Sequence, residues 1–251
     1  MIDQARTFDP TEPETGNPLL QALRRELPVA IGPLSLDAGR CGLVIIDEQN
    51  GFATVGAGSL APVAPNEQIS RMIEETDQLA RVFRERGLPI LVFLDHHDTD
   101  RPEPPYPPHC IAGTGEEELV PALAWLGEPG IATHIRTDCI NDFVGSIDPV
   151  TGRNAVVGWV AEHALEMLVV VGICTDICVC DFVTTMLSAR NHGIVPPLRD
   201  VCVYEPGCAT YDLPRTTALS LGLPETAAHP QAASHHLGLW LMASRGARLV
   251  S

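Results

Sequence analysis

At 251 residues the chain is long enough for one large α/β domain. A net charge of −16, from 32 acidic against 16 basic residues, disfavours nucleic acid and anionic membranes as partners, because phosphate contacts need clustered cations. No apolar run approaches the roughly 20 residues needed to cross a bilayer. The polar, acidic start MIDQARTFDPTEPETGNP lacks the apolar core of a signal peptide, so the expectation is a soluble, cytoplasmic protein.

Residues 1–40 read as an N-terminal extension ahead of a single domain spanning 41–251. The extension carries one short helical stretch, PLLQALRREL. CGLVIID (41–47) is a buried strand. Asn66 caps a helix in which Ile69, Met72, Ile73, Thr76, Leu79, Ala80 and Phe83 recur at helical spacing, and Gly87 stops it. LPILVFLD (88–95) is a second strand, HIRTDC (134–139) a weaker one, AVVGWVAEHALE a helix and MLVVVGIC (167–174) a further strand. Val179, Phe182, Val183, Met186 and Leu187 mark the next helix, which ends near RNHG. GIVPPLRDVCVYE is a strand region, and HPQAASHHLGLWLMASRGARLV reads as a terminal helix. Its Leu237, Leu239 and Leu241 read as an apolar stripe, compatible with packing on their own domain or between copies of the chain. Strands alternating with helices predict an α/β fold, a single-domain three-layer α/β/α arrangement around a mostly parallel sheet. Ligands of such sheets bind at the carboxyl ends of the strands. Asp47, Asp95 and Cys178 all fall just after strands.

Three cysteines lie within the stretch VGICTDICVC. Its C-x3-C-x-C spacing lacks the second ligand pair of a zinc knot, and nothing signals an oxidising compartment for disulfides. Most of the eight cysteines therefore read as small buried apolar residues. Cys178 follows a strand and opens a helix, where free N–H groups and the positive dipole end favour a thiolate; nucleophile and inert buried thiol are even readings of that position. Asp47 ends an apolar strand, as a proton acceptor for a nearby thiol or as a turn cap. In FLDHHDTDRPEPPYPPHC, Asp95, His97 and His109 have the donor types for zinc, iron or manganese, and a histidine-rich surface loop is the alternative.

LVIIDEQNGFATVGAGSLAP, PEPPYPPHCIAGTGEEELVPAL, TDCINDFVGS, VVVGICTDICVCDFVTTMLSARNHG and GCATYDLP follow one another in an order and spacing that resemble the isochorismatase-like cysteine hydrolases. The likeness is nearest to the nicotinamidases, in their plant-like branch, and runs from about residue 40 to the end. The resemblance implies Cys178 as nucleophile, Asp47 as general acid and base, and a cis Ile173–Cys174 peptide. It implies oxyanion donors in the N–H groups of Cys174 and Cys178. Asp95, His97 and His109 fall on its positions for a divalent metal, zinc with iron or manganese as alternatives, and Phe52 and Tyr106 on those that hold the substrate ring. A small carboxamide would be the substrate and a homo-oligomer the assembly. A fourth histidine ligand of many members would fall near Arg101 and is missing, leaving Asp100 or water to complete the shell. The departure is at the family's catalytic lysine, where this chain has Thr137. All sixteen basic residues are arginine; the adjacent Arg136 points to the opposite face of its strand and is a poor copy of lysine. Hydrolysis of another small amide or ureido compound, or a weakly active binding role, stays open on that account.

Overall fold

The computed structural model describes residues 17–37, 39–101 and 103–251. The acidic segment read as lacking a signal-peptide core lies, for residues 1–16, outside the described residues. In chain order the elements are α1 (Pro18–Glu26), β1 (Ile31–Gly32), β2 (Cys41–Ile46), α2 (Asn50–Ala53), α3 (Glu67–Glu85), β3 (Ile90–Asp95), β4 (Thr133–Thr137), α4 (Asp142–Gly145), α5 (Ala155–Glu162), β5 (Met167–Ile173), α6 (Cys178–His192), β6 (Asp200–Ala209), α7 (Arg215–Ser220), α8 (Gln231–Ser244) and β7 (Arg248–Val250). The strands form one sheet in the order β1-β7-β6-β5-β2-β3-β4, with every pair parallel. Among the described residues no helix is long and apolar enough to cross a membrane.

Strand side chains alternate between the two faces, and the two halves of the core follow that alternation. Val44, Ile46, Leu91, Phe93, Leu168 and Val170 face α5, α6 and α8. Leu43, Ile45, Ile90, Val92, Val169 and Val171 face α3. Helix α3 begins as its sequence predicts, with the Asn66 side chain accepting from the Ile69 N–H at 3.1 Å, and Gly87 at φ +63° follows its end.

Two expectations need correction at the carboxyl terminus. The terminal helix stops at Ser244, Gly246 turns the chain at φ +102°, and Arg248–Val250 form β7 between β6 and β1. A three-residue strand is too short for periodicity to reveal. Leu237, Leu239 and Leu241 do not form one stripe either, since positions two apart lie on different helix faces. Leu239 is buried, Leu237 is 37% exposed, and the buried face instead runs through Ala233, His236, Leu239 and Met242.

After β2 the chain moves outward through β3 and β4, then crosses to the other side of β2 for β5, β6 and β7. The carboxyl ends of β2 and β5 are thus the topological switch point, where such sheets open a crevice for ligands.

Candidate active site

Asp47 leaves β2 with φ +55°, a left-handed conformation that non-glycine residues adopt infrequently, and its side chain is 3% exposed. Two residues on, Gln49 clamps this turn to the end of β3. Its Oε1 accepts from the Asp95 N–H at 2.7 Å, and its Nε2 donates to the carbonyls of Asp95 at 2.9 Å and Glu117 at 2.7 Å. Sequence reasoning passed over Gln49; a wholly buried amide two residues after a strand-end aspartate is the signal for it.

Asp95, His97 and His109 come together, with one ligand atom from each lying within 4.8 Å of the others. Asp95 Oδ1 is 2.8 Å from His97 Nε2, and Asp95 Oδ2 is 3.0 Å from His109 Nε2. All three residues are buried, yet Asp95 Oδ2 and both His97 ring nitrogens lack hydrogen-bond partners. Buried polar atoms left so are those that a cation would satisfy. The Pro107 carbonyl lies 2.8 Å from His109 Nδ1, a contact that leaves Nε2 facing the cluster. Two imidazoles and a carboxylate fit a divalent cation. Asp100 is exposed, whereas Glu103 Oε2 lies 3.6 Å from His109 Nε2 and 3.9 Å from His97 Nε2. Glu103, whose other oxygen accepts from the Ile140 N–H at 2.7 Å, is therefore the further oxygen donor within reach, in place of Asp100. Arg101 turns away to Asp138 at 2.7 Å.

Cys178 is the first residue of α6 and half-buried, and its thiol and the Asp47 carboxyl are close enough for each to act on the other's ionisation. Cys174 is buried, and the Ile173–Cys174 peptide is cis. All eight cysteines are free thiols. The phenyl ring of Phe52 lies 5.6 Å from the His109 ring and the Tyr106 ring 6.2 Å from it, so both aromatics stand beside the metal-type cluster. Thr137 ends β4 opposite Asp95; it is buried, and its hydroxyl donates to Asp142 Oδ1 at 2.8 Å. The loop that carries Cys178 is tied down through Asp176, which accepts from the Thr210 hydroxyl at 2.7 Å and lies 2.8 Å from His229 Nε2.

Electrostatics depart from the helix-start expectation. Burial pushes the Cys178 thiol well above its ordinary value, and the carboxyls of Asp47 and Asp142 push the same way. Burial likewise raises Asp47, with Asp142 and Asp95 adding to it. The helix terminus favours a thiolate, but a buried thiol surrounded by acids resists becoming one. Burial opposes ionisation of Asp95 too, and there the close imidazoles of His109 and His97 outweigh it and hold the carboxyl low. Tyr106 is pushed up to about 12, by burial first and then by Cys178 and Cys174.

The isochorismatase domain family matches residues 41–250. Nicotinamidase 1 of Arabidopsis thaliana is 52% identical over 235 residues, covering 93% of this chain and 95% of that protein. A nicotinamidase of Acinetobacter baylyi is 30% identical over 181 residues, 62% of this chain and 78% of that protein. Among solved structures, a Bacillus subtilis nicotinamidase superposes with a TM-score of 0.60 at 24% identity, covering 84% of this chain and 99% of that one. A Pyrococcus horikoshii pyrazinamidase in complex with zinc superposes at 0.57 and 18%, covering 84% and 99%.

Proposed function

The chain belongs to the isochorismatase family, and from that premise we propose that it hydrolyses nicotinamide to nicotinate and ammonia, with Cys178 as nucleophile and Asp47 as its proton carrier. The observation that carries the proposal is the meeting of the Cys178 thiol and the Asp47 carboxyl at the switch point, beside a buried cluster with metal-ligand geometry.

The thiol of Cys178 attacks the amide carbonyl as its proton passes to the Asp47 carboxylate. The N–H groups of Cys174 and Cys178 hold the oxyanion of the tetrahedral adduct. Asp47 then returns the proton to the amide nitrogen, ammonia leaves, and a thioester remains. Water attacks the thioester while Asp47 takes its proton; nicotinate departs and the thiol is restored by that proton. Phe52 and Tyr106 wall the ring of the substrate, and Gln49 keeps Asp47 in register with the end of β3. Asp95, His97 and His109, with Glu103 in reach, would hold a divalent cation, zinc with iron or manganese as alternatives, which when bound supplies a Lewis acid for the pyridine nitrogen. The family resemblance extends the proposal to self-assembly, and the polar amino terminus supports a cytoplasmic setting.

Thr137 at the lysine position favours one second reading, a ureido or other small amide substrate in the same pocket. The test is ammonia release from nicotinamide by metal-replete protein, beside Cys178→Ala and Thr137→Lys, with a panel of small amides and ureido compounds in parallel. Turnover that disappears in Cys178→Ala supports the proposal. Silence on nicotinamide in both the wild type and Thr137→Lys overturns it, and turnover of a ureido compound instead establishes the second reading.

A further inference from the structure

The carboxyls around Cys178 outnumber the charges that could balance them. Asp142, the first residue of α4, is 1% exposed. One of its oxygens takes the Thr137 hydroxyl at 2.8 Å, and the other is buried without a partner, as is one oxygen of Asp47. Helix α4 is fixed in place: the Asn141 side chain accepts from the Val144 N–H at 3.1 Å and donates to the Thr185 hydroxyl of α6 at 2.9 Å. A Cβ on Gly145 would lie 2.8 Å from Thr137 Cβ, so the α4 backbone sits directly against that residue.

The ionisable groups that act with Asp142 are Asp47 after β2, Asp95 ending β3, Glu103 in the following loop, Cys139 before α4 and Cys178 on α6. Every one is an acid. The two histidines nearby are drawn to Asp95, and the chain has no lysine. A cation held by Asp95, His97 and His109 would balance Asp95 and Glu103, which leaves Asp47 and Asp142 as adjacent buried carboxyls with no partner of opposite charge; two such carboxyls do not both ionise, and one keeps its proton. Of the two that lack an imidazole partner, Asp47 must be free to accept and return a proton, which leaves Asp142 to keep one.

We propose that Asp142 is a positioning residue that carries a proton in the working enzyme, oriented by the Thr137 hydroxyl, so that Asp47 and Cys178 are spared a second negative charge where a cation would otherwise balance them. The inference rests on the hydrolytic roles proposed for Asp47 and Cys178. Its direction with pH follows: the proton is lost as pH rises, and the charge then exposed opposes thiol deprotonation, so turnover falls.

The test uses the full-length, metal-replete protein and its Asp142→Asn, Asp142→Ala and Thr137→Val variants. Infrared spectra at neutral pH should show one protonated-carboxyl carbonyl band in the wild type that Asp142→Asn lacks. In nicotinamide hydrolysis, Asp142→Asn, which keeps the shape, neutrality and donor, should exceed Asp142→Ala by about tenfold or more in kcat/KM. It should also lose the alkaline decline that the wild type shows. Thr137→Val should depress kcat more than KM. An unchanged infrared spectrum in Asp142→Asn overturns the proposal, as do equal losses in the asparagine and alanine variants with an unaltered pH profile. Should no variant release ammonia, the nicotinamide reading fails, and the infrared difference still decides where the proton is.

Discussion

Asp95 and Asp142 are buried carboxyls at the same edge of one sheet, and their charges run in opposite directions. Burial opposes ionisation at both. At Asp95 two imidazoles lie 2.8 Å and 3.0 Å away and hold the carboxyl charged. At Asp142 the one hydrogen bond comes from an uncharged hydroxyl, the neighbours Asp95 and Glu103 are acids, and the carboxyl is driven well up. Depth is therefore a poor guide to charge here; the nearest partners decide it. The end of β3 is arranged to gather a cation, and the groups brought by β2, α4 and α6 to handle protons.

The largest effect that would break this division is at the thiol. Cys178→Ala should lower nicotinamide turnover by about 10⁴-fold, measured as ammonia release, while leaving metal binding by calorimetry intact. Loss of metal binding along with turnover would mean that the two sides are not separable. Next in size is the β3 side. Chelation of the wild type should reduce turnover by about 100-fold and added zinc should restore it, whereas His97→Ala should not be restored. Because metal and protons compete for the same imidazoles, affinity should fall as pH drops through the range in which histidine takes up a proton; pH-independent affinity would exclude His97 and His109 as ligands.

Thr137→Lys should act in the opposite direction. A cation beside Asp142 would make that carboxyl ionise and favour the thiolate of Cys178, raising kcat/KM by about tenfold, equivalent to about 1.4 kcal/mol. A decrease would mean that the Thr137–Asp142 pair is better matched to this site than a cation.

The strand runs Cys41–Ile46, Ile90–Asp95 and Met167–Ile173 were legible because each is an apolar segment, broken only by the terminal Asp95 and buried except at Leu94. The residues proposed for catalysis and metal binding were picked out because parallel sheets concentrate chemistry just past strand ends, and because the chain resembles a family whose motifs it carries. Gln49, Glu103 and Asp142 were not. Each acquires its role from partners distant in sequence or from a neighbour whose direction only the fold sets: Gln49 from Asp95, Glu103 from the Ile140 N–H, Asp142 from the Thr137 hydroxyl. The expectation of a low thiol at Cys178 counted the helix terminus alone; burial reverses it first, with the acids that arrive from β2 and α4 adding to it. At the edges, β1 and β7 carry two and three residues and exist through mutual pairing more than through local pattern.

The smallest expected effect isolates burial from charge. Glu48 follows Asp47 in sequence and is fully buried. Its Oε1 accepts from the Thr76 hydroxyl at 2.6 Å and its Oε2 has no partner. Burial raises it well above the ordinary glutamate value, against the pull of that hydroxyl, and no acidic neighbour adds to the shift. Its folded value exceeds its unfolded one, so the fold holds the proton more tightly than the unfolded chain does. The resulting stability is complete below the ordinary glutamate range and is lost as pH rises towards the folded value. Glu48→Gln keeps the acceptor for Thr76 and has no charge to bury. It should match the wild type in acid and exceed it by about 1 kcal/mol at alkaline pH, read from thermal melts across the pH range. A difference that stays constant with pH would mean that Glu48 is ionised in the fold, and burial alone would then be too weak to hold the proton on Asp142 without the acids around it.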